Sequence, residues 1–351
     1  MQFKKLDILL LILYYEFVKK QQGDFTMKKS FVLVMCLILA MSAMFVGCGE
    51  KTSNLKFGMG VYSTTPTVTD ATADKDGSGK IDVTVAAVTV DADGKIVACA
   101  LDTASNTVGF TADGKAVAKY EFKTKYEMGK DYNMVTYGGA KKEWFEQADA
   151  FEALVAGKTL DEVKALLGSE NKGTDEVVNA GCTIMINEFI GAIEKAYNAA
   201  AESKATNANT LNVTAATDQT CTDATADKDG SNKVSTTVFA AAVDEDGKVV
   251  AAASDCVEVT FTFDTKGVST LDTSKAIVSK KDAGENYGMV AYGGAEKEWF
   301  EQAAAFDAAC IGKTGKEIAG LMADDGKGVA DLQSAGCTIY VTGFVKAASK
   351  I

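Results

Sequence analysis

Apolar and polar positions alternate from Ile81 to Val90, in a run rich in Val and Thr that predicts a strand. Asp91-Ala92-Asp93-Gly94 predicts a hairpin turn, with Lys95 to Leu101 returning as the partner strand. A further hairpin is expected around Ala112-Asp113-Gly114. From about Lys141 to Val155 the period changes. Trp144, Phe145, Ala148, Phe151 and Val155 recur at helical spacing, and Gly157 stops the helix. Thr159 with Glu162, and later Thr314 with Glu317, predict capping boxes on following helices. Ile184 and Ile186 alternate before a helix expected to be capped by Asn187 and to carry Phe189, Ile193, Ala196 and Tyr197. Thr342 is the corresponding later cap, with Phe344 opening the apolar face. Residues 48–68 and 200–221 are small and polar without periodicity, and are expected as a tether and a linker.

These elements occur twice. Tyr137 to Ala148 reads YGGAKKEWFEQA and Tyr292 to Ala303 reads YGGAEKEWFEQA. Trp144 and Trp299, the two tryptophans of the chain, stand 155 positions apart (299 − 144). TDATADKDGS recurs from Thr69 to Thr222, VDADGKIVA at Val90 matches VDEDGKVVA at Val243, and AGCTI recurs at Ala180 and Ala335. Long-period self-similarity of this kind predicts two copies of one domain. The expected fold class is α+β: two tandem repeats, each a mainly antiparallel sheet packed with helices, over residues 69–199 and 222–351. Each Trp is expected to pack its core. The DKDG segments at Asp74 and Asp227 resemble half an EF-hand loop. The bidentate Glu of position twelve is Val85 in the first copy, so both are expected as tight turns.

The chain has 351 residues, a net charge of −12 and no histidine. The acidic balance argues against a nucleic-acid partner, and the missing histidine removes Ser-His-Asp hydrolysis, His-ligated haem and His-based zinc sites. No nucleophile–base pair assembles from spacing, so no catalytic residue and no metal ligand is assigned.

Met27-Lys28-Lys29 and the apolar run that follows it read as an export signal, with residues 1–26 ahead of it as a start assigned too early. A membrane contact by residues 8–15 is the alternative for that leader. Phe45-Val46-Gly47-Cys48 resembles the lipobox of bacterial lipoproteins, which implies cleavage before Cys48, lipidation of its thiol and a place on the outer face of the cell membrane. The apolar run is short for a span, the other reading of the segment. Of the remaining cysteines, only Cys182 and Cys337 occupy matching positions, so a shared disulfide framework is not expected; a Cys221–Cys256 bridge stays open.

The order of parts resembles the FMN-binding domain family, which includes flavin-carrying subunits of Rnf and sodium-pumping NADH:quinone reductase complexes and flavin-bearing lipoproteins of Gram-positive bacteria. VDADGKIVA resembles its hairpin, TKYEMG at Thr124 its loop, and Ala180-Gly181-Cys182-Thr183 and Ala335-Gly336-Cys337-Thr338 its attachment motif. Cysteine stands where the family has alanine. The resemblance implies FMN joined through its phosphate to Thr183 and Thr338, with Gly181 and Gly336 admitting a close backbone approach and Cys182 and Cys337 beside it. Thr124 and Met128, with Tyr126, Tyr132, Met134 and Tyr287, would flank the flavin ring. Free N–H groups near a helix N-terminus are expected to receive the phosphate. The implied function is that of a lipid-anchored electron carrier with a membrane redox partner. Two alternatives remain: a non-redox surface lipoprotein binding a small ligand or protein partner, and a Gly-Cys-Thr segment that only turns the chain and packs Cys and Ile inward.

Overall fold

A computed structural model of the chain describes residues 54–118 and 121–351. The export segment and Cys48 lie outside the described residues. Strands β1 Lys56–Ser63, β2 Thr67–Thr69, β3 Gly77–Val90, β4 Ile96–Phe110 and β5 Ala116–Val117 lead into helices α1 Lys125–Met128, α2 Trp144–Val155, α3 Leu160–Lys164, α4 Asp175–Ala180 and α5 Asn187–Asn198. The chain then returns to strands β6 Ala201–Glu202, β7 Thr210–Thr222, β8 Gly230–Val243 and β9 Val249–Phe263. Helices α6 Lys280–Ala283, α7 Trp299–Cys310, α8 Gly315–Ile318, α9 Ala330–Ser334 and α10 Thr342–Ala348 follow. The fold is mixed α and β with two antiparallel sheets. One has the order β5-β4-β3-β1-β6, with β2 also on β3, and the other the order β7-β8-β9.

The sheets face each other across one apolar layer. Phe57, Met59, Val61, Ile81, Val83, Val85 and Ala87 from the first sheet share a cluster with Val234, Val238, Ala240, Val257, Val259 and Phe261 from the second. The alternate side chains of β3, Ala86, Val88 and Val90, point the other way and pack with Trp144, Phe151, Phe189 and Ile193 of α2 and α5. Phe239 and Ala241 of β8 do the same beneath α7 and α10, with Trp299, Phe306 and Phe344. The layers therefore run helix, sheet, sheet, helix. β3 and β8 are covered on both faces, which is why the sequence alternation fails at Ala86-Ala87 and at 240–242.

The two segments expected to be structureless are strands. β1 reads as tether because Gly58 and Gly60 break its apolar pattern, yet α5 lies directly on them. A Cβ on Gly58 would meet the Ala196 carbonyl oxygen at 2.0 Å, and one on Gly60 that of Ala192 at 2.3 Å. β7 reads as linker because it is an edge strand. It pairs with β8 along its whole length, but its outer side meets water and carries Thr, Asn, Asp and Gln. On the first sheet, Pro66, without an N–H, interrupts the strand edge between β1 and β2. The caps expected at Asn187 and Thr342 sit one residue inside their helices, whose N-caps are Ile186 and Val341. Thr342 Oγ1 reaches the Gly326 carbonyl oxygen at 3.5 Å instead. The described cysteines are all free, so no Cys221–Cys256 bridge forms; Cys256 is buried, and the exposed Cys221 donates to Asn232 Oδ1. The capping boxes at Thr159 and Thr314 and both core tryptophans are as expected.

Several contacts between the first half (β1 to α5) and the second (β7 to α10) come in reciprocal pairs. The Ala71 amide donates to the Gly267 carbonyl at 2.8 Å, and the Ala224 amide to that of Gly114 at 2.8 Å. The Ser269 amide donates to Asp70 Oδ1 at 2.8 Å and the Ala116 amide to Asp223 Oδ1 at 2.9 Å. Lys195 pairs with Asp282, and Lys350 with Glu127. Phe110 and Phe263 stack on each other, with centroids 4.6 Å apart and planes 7° from parallel.

The ion pairs are half open to water and contribute little; the buried apolar layer holds the halves together. Phe110→Ala or Phe263→Ala should cost about 3–5 kcal/mol in denaturant unfolding. Lys195→Ala should cost under ~1 kcal/mol. An equal loss for both kinds of change would contradict this ranking.

Candidate functional site

The repeated block EWFEQ builds the site outward from the first two turns of α2 and α7. Trp144 and Trp299 are buried in the helix-side cores. Glu143 is also buried, and its carboxylate accepts the amides of Met134 (2.9 Å) and Val135 (3.3 Å). Glu298 accepts those of Met289 (2.9 Å) and Val290 (3.0 Å). Each Glu thereby ties the preceding loop to its helix. Gln147, also buried, binds the Gly-Cys-Thr turn: its Oε1 accepts both the Thr183 amide (2.8 Å) and the Thr183 hydroxyl (2.9 Å), while its Nε2 donates to the Lys142 carbonyl. Gln302 repeats this with Thr338 at 2.9 and 3.0 Å and with Lys297.

The turn itself is a helix C-terminus. α4 ends at Gly181 with φ 107°, and α9 is followed by Gly336 with φ 103°, both in a region that favours glycine. The Gly181 and Cys182 amides donate back to the Val178 and Val177 carbonyls. Those of Gly336 and Cys337 return to Gln333 and Leu332. With the Thr amides held by Gln, no turn N–H is left for an incoming phosphate, and the helix presents its negative end. The expected anion cradle at a helix N-terminus is therefore not what these residues form. The positive group present is a lysine. Lys142 Nζ lies so close over Gly181 that a Cβ there would meet it at 2.3 Å, and Lys297 Nζ covers Gly336 in the same way. Neither lysine makes an ion pair among the described residues.

Thr183 and Thr338 are exposed. Cys182 and Cys337 are fully buried, and burial pushes each thiol up to about 11. They are core residues, as are the isoleucines at 186 and, half-buried, 184. Thr124 is buried too. It caps α1 by accepting the Glu127 amide at 3.1 Å. Met128 ends that helix and is half-buried. The Tyr132 ring already carries Lys125 Nζ at 5.6 Å, and Tyr287 carries Lys280 Nζ at 5.1 Å; each lysine lies 5.6 Å from the neighbouring tryptophan ring as well. Tyr126 donates its hydroxyl to Asp149 Oδ1 at 2.8 Å. The loop with Thr124, Met128 and Tyr132 and the turn with Thr183 thus meet the same stretch of α2. No hydrogen bond or ring contact joins them among the described residues.

Sequence reasoning missed Lys142, Glu143 and Gln147 with their counterparts Lys297, Glu298 and Gln302. Their identity in both copies was the available signal, since core packing demands only the apolar members of the block. Tyr137 and Tyr292 are 85% and 92% exposed, so these two side chains have no packing role.

Comparison with known proteins gave no match to a family model, a curated protein or a solved structure.

Two cavities lie where the halves meet. One, of about 330 Å³, is lined by Asp102, Tyr126, Glu152 and Lys350 together with residues 211–214 of β7. The other, of about 710 Å³, is lined by Asp307 and Lys281 with residues 201–204 and 250–253. Burial raises Glu152 to about 8, and Asp102, Asp255 and Asp307 each to about 6. Glu152 accepts the Leu101 amide at 2.7 Å, Asp307 the Ser254 hydroxyl at 2.6 Å, and Asp102 and Asp255 tie α1 and α6 to the sheets.

Gln147→Leu should lower stability by about 1–3 kcal/mol and abolish protection of the Thr183 amide in hydrogen exchange; retained protection would show that Gln147 does not hold the turn. The raised carboxyls make the folded chain bind more protons than the unfolded chain. Stability should therefore fall as pH rises from about 4.5 through about 8, and fall further above about 9, where the buried thiols stay protonated and the unfolded ones ionise. Glu152→Gln should flatten the part between about 6 and 8, read from urea midpoints across that range. A wild-type midpoint that does not move between those values would refute the assignment.

Proposed function

We propose that the chain is an internally duplicated, lipid-anchored electron carrier bearing two flavin groups, each joined through its phosphate to Thr183 or Thr338. The reciprocal contacts between the halves support the duplication, in which two copies of one domain pair through the same surface. The observation that carries the flavin reading is the pair of exposed threonine hydroxyls. Each is held by a buried Gln, beside a glycine over which lies a lysine that makes no ion pair among the described residues. An acceptor for covalent modification has to be exposed and fixed in place, and both threonines are.

The geometry favours a covalent ester over reversible binding, because the turn offers no free amides to a loose phosphate. On this reading the Thr Oγ1–phosphorus bond forms as the pyrophosphate bond of a flavin dinucleotide donor breaks under a transferase. The nucleoside monophosphate leaves with the bond's electron pair, and the threonine proton passes to solvent. Lys142 and Lys297 offset the charge of the ester, Gly181 and Gly336 admit them, and Gln147 and Gln302 orient the oxygen. The flavin when bound supplies reversible electron transfer. Cys48 supplies the membrane tether, and a membrane reductase is the expected partner. A second reading, a non-redox binding module, is favoured by the exposure of Tyr137 and Tyr292.

The test is the chain co-expressed with a flavin transferase, run on a denaturing gel and weighed intact. A fluorescent band that weakens in Thr183→Val or Thr338→Val and vanishes in the double variant is the expected result. A yellow native protein with a dark band would replace the ester with reversible binding. A colourless protein of unmodified mass would sink the flavin reading and leave the binding module.

A further inference from the structure

The two cavities at the junction of the halves occupy corresponding places. Glu152 and Tyr126 line the first, Asp307 and Lys281 the second. Both pairs stand 155 positions apart (307 − 152 and 281 − 126), the spacing of the two tryptophans. Each carboxyl accepts an amide from the corresponding point of the adjoining strand. Glu152 Oε1 takes that of Leu101 at 2.7 Å, and Asp307 Oδ2 that of Ser254 at 3.1 Å. The duplicated chain thus holds two versions of one shielded carboxyl, and they differ in what accompanies it.

In the second half the partners come from the chain itself. Ser254 Oγ donates to Asp307 Oδ1 at 2.6 Å, and Lys281 sets a positive charge beside it on the same cavity wall. In the first half both are missing. Leu101 stands for Ser254 and brings no hydroxyl. Tyr126 stands for Lys281 and donates its own hydroxyl to Asp149 Oδ1 at 2.8 Å. Asp149 in turn stands where the second half has Ala304, so a further negative charge is added. The one lysine on this wall, Lys350, is paired with Glu127 at 2.6 Å. Among the described residues no donor meets the second oxygen of Glu152.

We propose that the first cavity binds a small primary ammonium ion with a short apolar body, held by the Glu152 carboxylate. The ligand does there what Lys281 and Ser254 do in the other half: it brings a positive charge and N–H donors to a carboxyl that has neither. Leu101, Leu211 and Val213 on the walls suit an alkyl stem like that of lysine. About 330 Å³ is at the small end of ligand pockets and sets the size. The groups around Glu152 are Asp149 on its own helix, Asp102 and the Cys99 thiol on β4, Tyr126 and Glu127 on α1, and Lys350 beyond α10; β7 adds no titratable side chain. Burial, helped by Asp149 and Asp102, raises Glu152 to about 8, so the ammonium binds as that proton leaves. Affinity therefore rises with pH up to that value. The site is independent of the flavin reading.

The experiment titrates n-butylamine into the full chain by calorimetry from about pH 6 to about pH 8, with 1-butanol as the neutral counterpart and acetate as an anion. Expected is binding of the amine alone, strengthening by up to about tenfold for each pH unit. Glu152→Gln should weaken it by about tenfold or more and remove the pH dependence. Tyr126→Lys, which gives the first half the lysine of the second, should block the amine. Asp307→Asn, in the other cavity, should leave the titration unchanged. No binding of the amine by the wild-type chain, equal binding of 1-butanol, tighter binding of acetate, or undiminished amine binding in Glu152→Gln would each overturn the proposal.

Discussion

The fold depends on one apolar layer that neither sheet can bury alone. The face carrying Phe57, Val83, Val85 and Ile81 is covered by the face carrying Val238, Ala240, Val257 and Phe261. A sheet with helices on one side needs a second cover on the other, and here each sheet is the other's cover. Association of the halves is then set by non-directional burial. The reciprocal hydrogen bonds and the Phe110–Phe263 stack fix their register within it. The acidic cavities sit at the margins of this contact, where the edge strand of one sheet passes the outer strand of the other and close packing ends. Burial there pushes the carboxyls of Asp102, Glu152 and Asp307 upward, and Lys281 beside Asp307 offsets only part of the loss.

On the outer faces the organising interactions are polar. A buried carboxylate that takes two backbone amides makes a strong, directional tie. Glu143 and Glu298 use it to close the loops that carry Tyr137 and Tyr292. A buried amide side chain has two acceptor sites and two donors, and Gln147 and Gln302 use both ends, one on the turn and one on their own helix start. The helix is thus a common jig for two irregular segments. Removing either polar residue loosens a loop without emptying the core.

Much of this was legible in the sequence where one face of an element is dry and the other wet. The α2 helix, the Asp91–Gly94 hairpin and the capping boxes at Thr159 and Thr314 follow from periodicity and turn chemistry alone. β1 and β7 were illegible for opposite reasons. In β1, glycines replace the side chains that would have shown the helix-facing alternation, because α5 needs the room. In β7, the strand pattern is diluted by an exposed edge. At the site, the Gly-Cys-Thr motif gave the position of the turn and the inward packing of its cysteine. It did not give the direction of the adjoining helix, since a glycine before a polar residue fits a helix end as well as a helix start. The clamping roles of Glu143 and Gln147 were hidden because a surface helix is expected to carry such residues anyway.

The direction of that helix bears on what the turn can hold. A reversible phosphate site needs amides aimed at the ligand and the positive end of a dipole; here the amides are spent and the dipole end is negative. One lysine over a glycine offsets a single charge but does not orient a phosphate. A threonine whose backbone amide is held by a buried glutamine keeps its place before and after esterification, and an ester bond needs no further cradle. The exposed side chain two positions after each threonine is where the two halves differ, with a thioether at Met185 and a phenol ring at Tyr340.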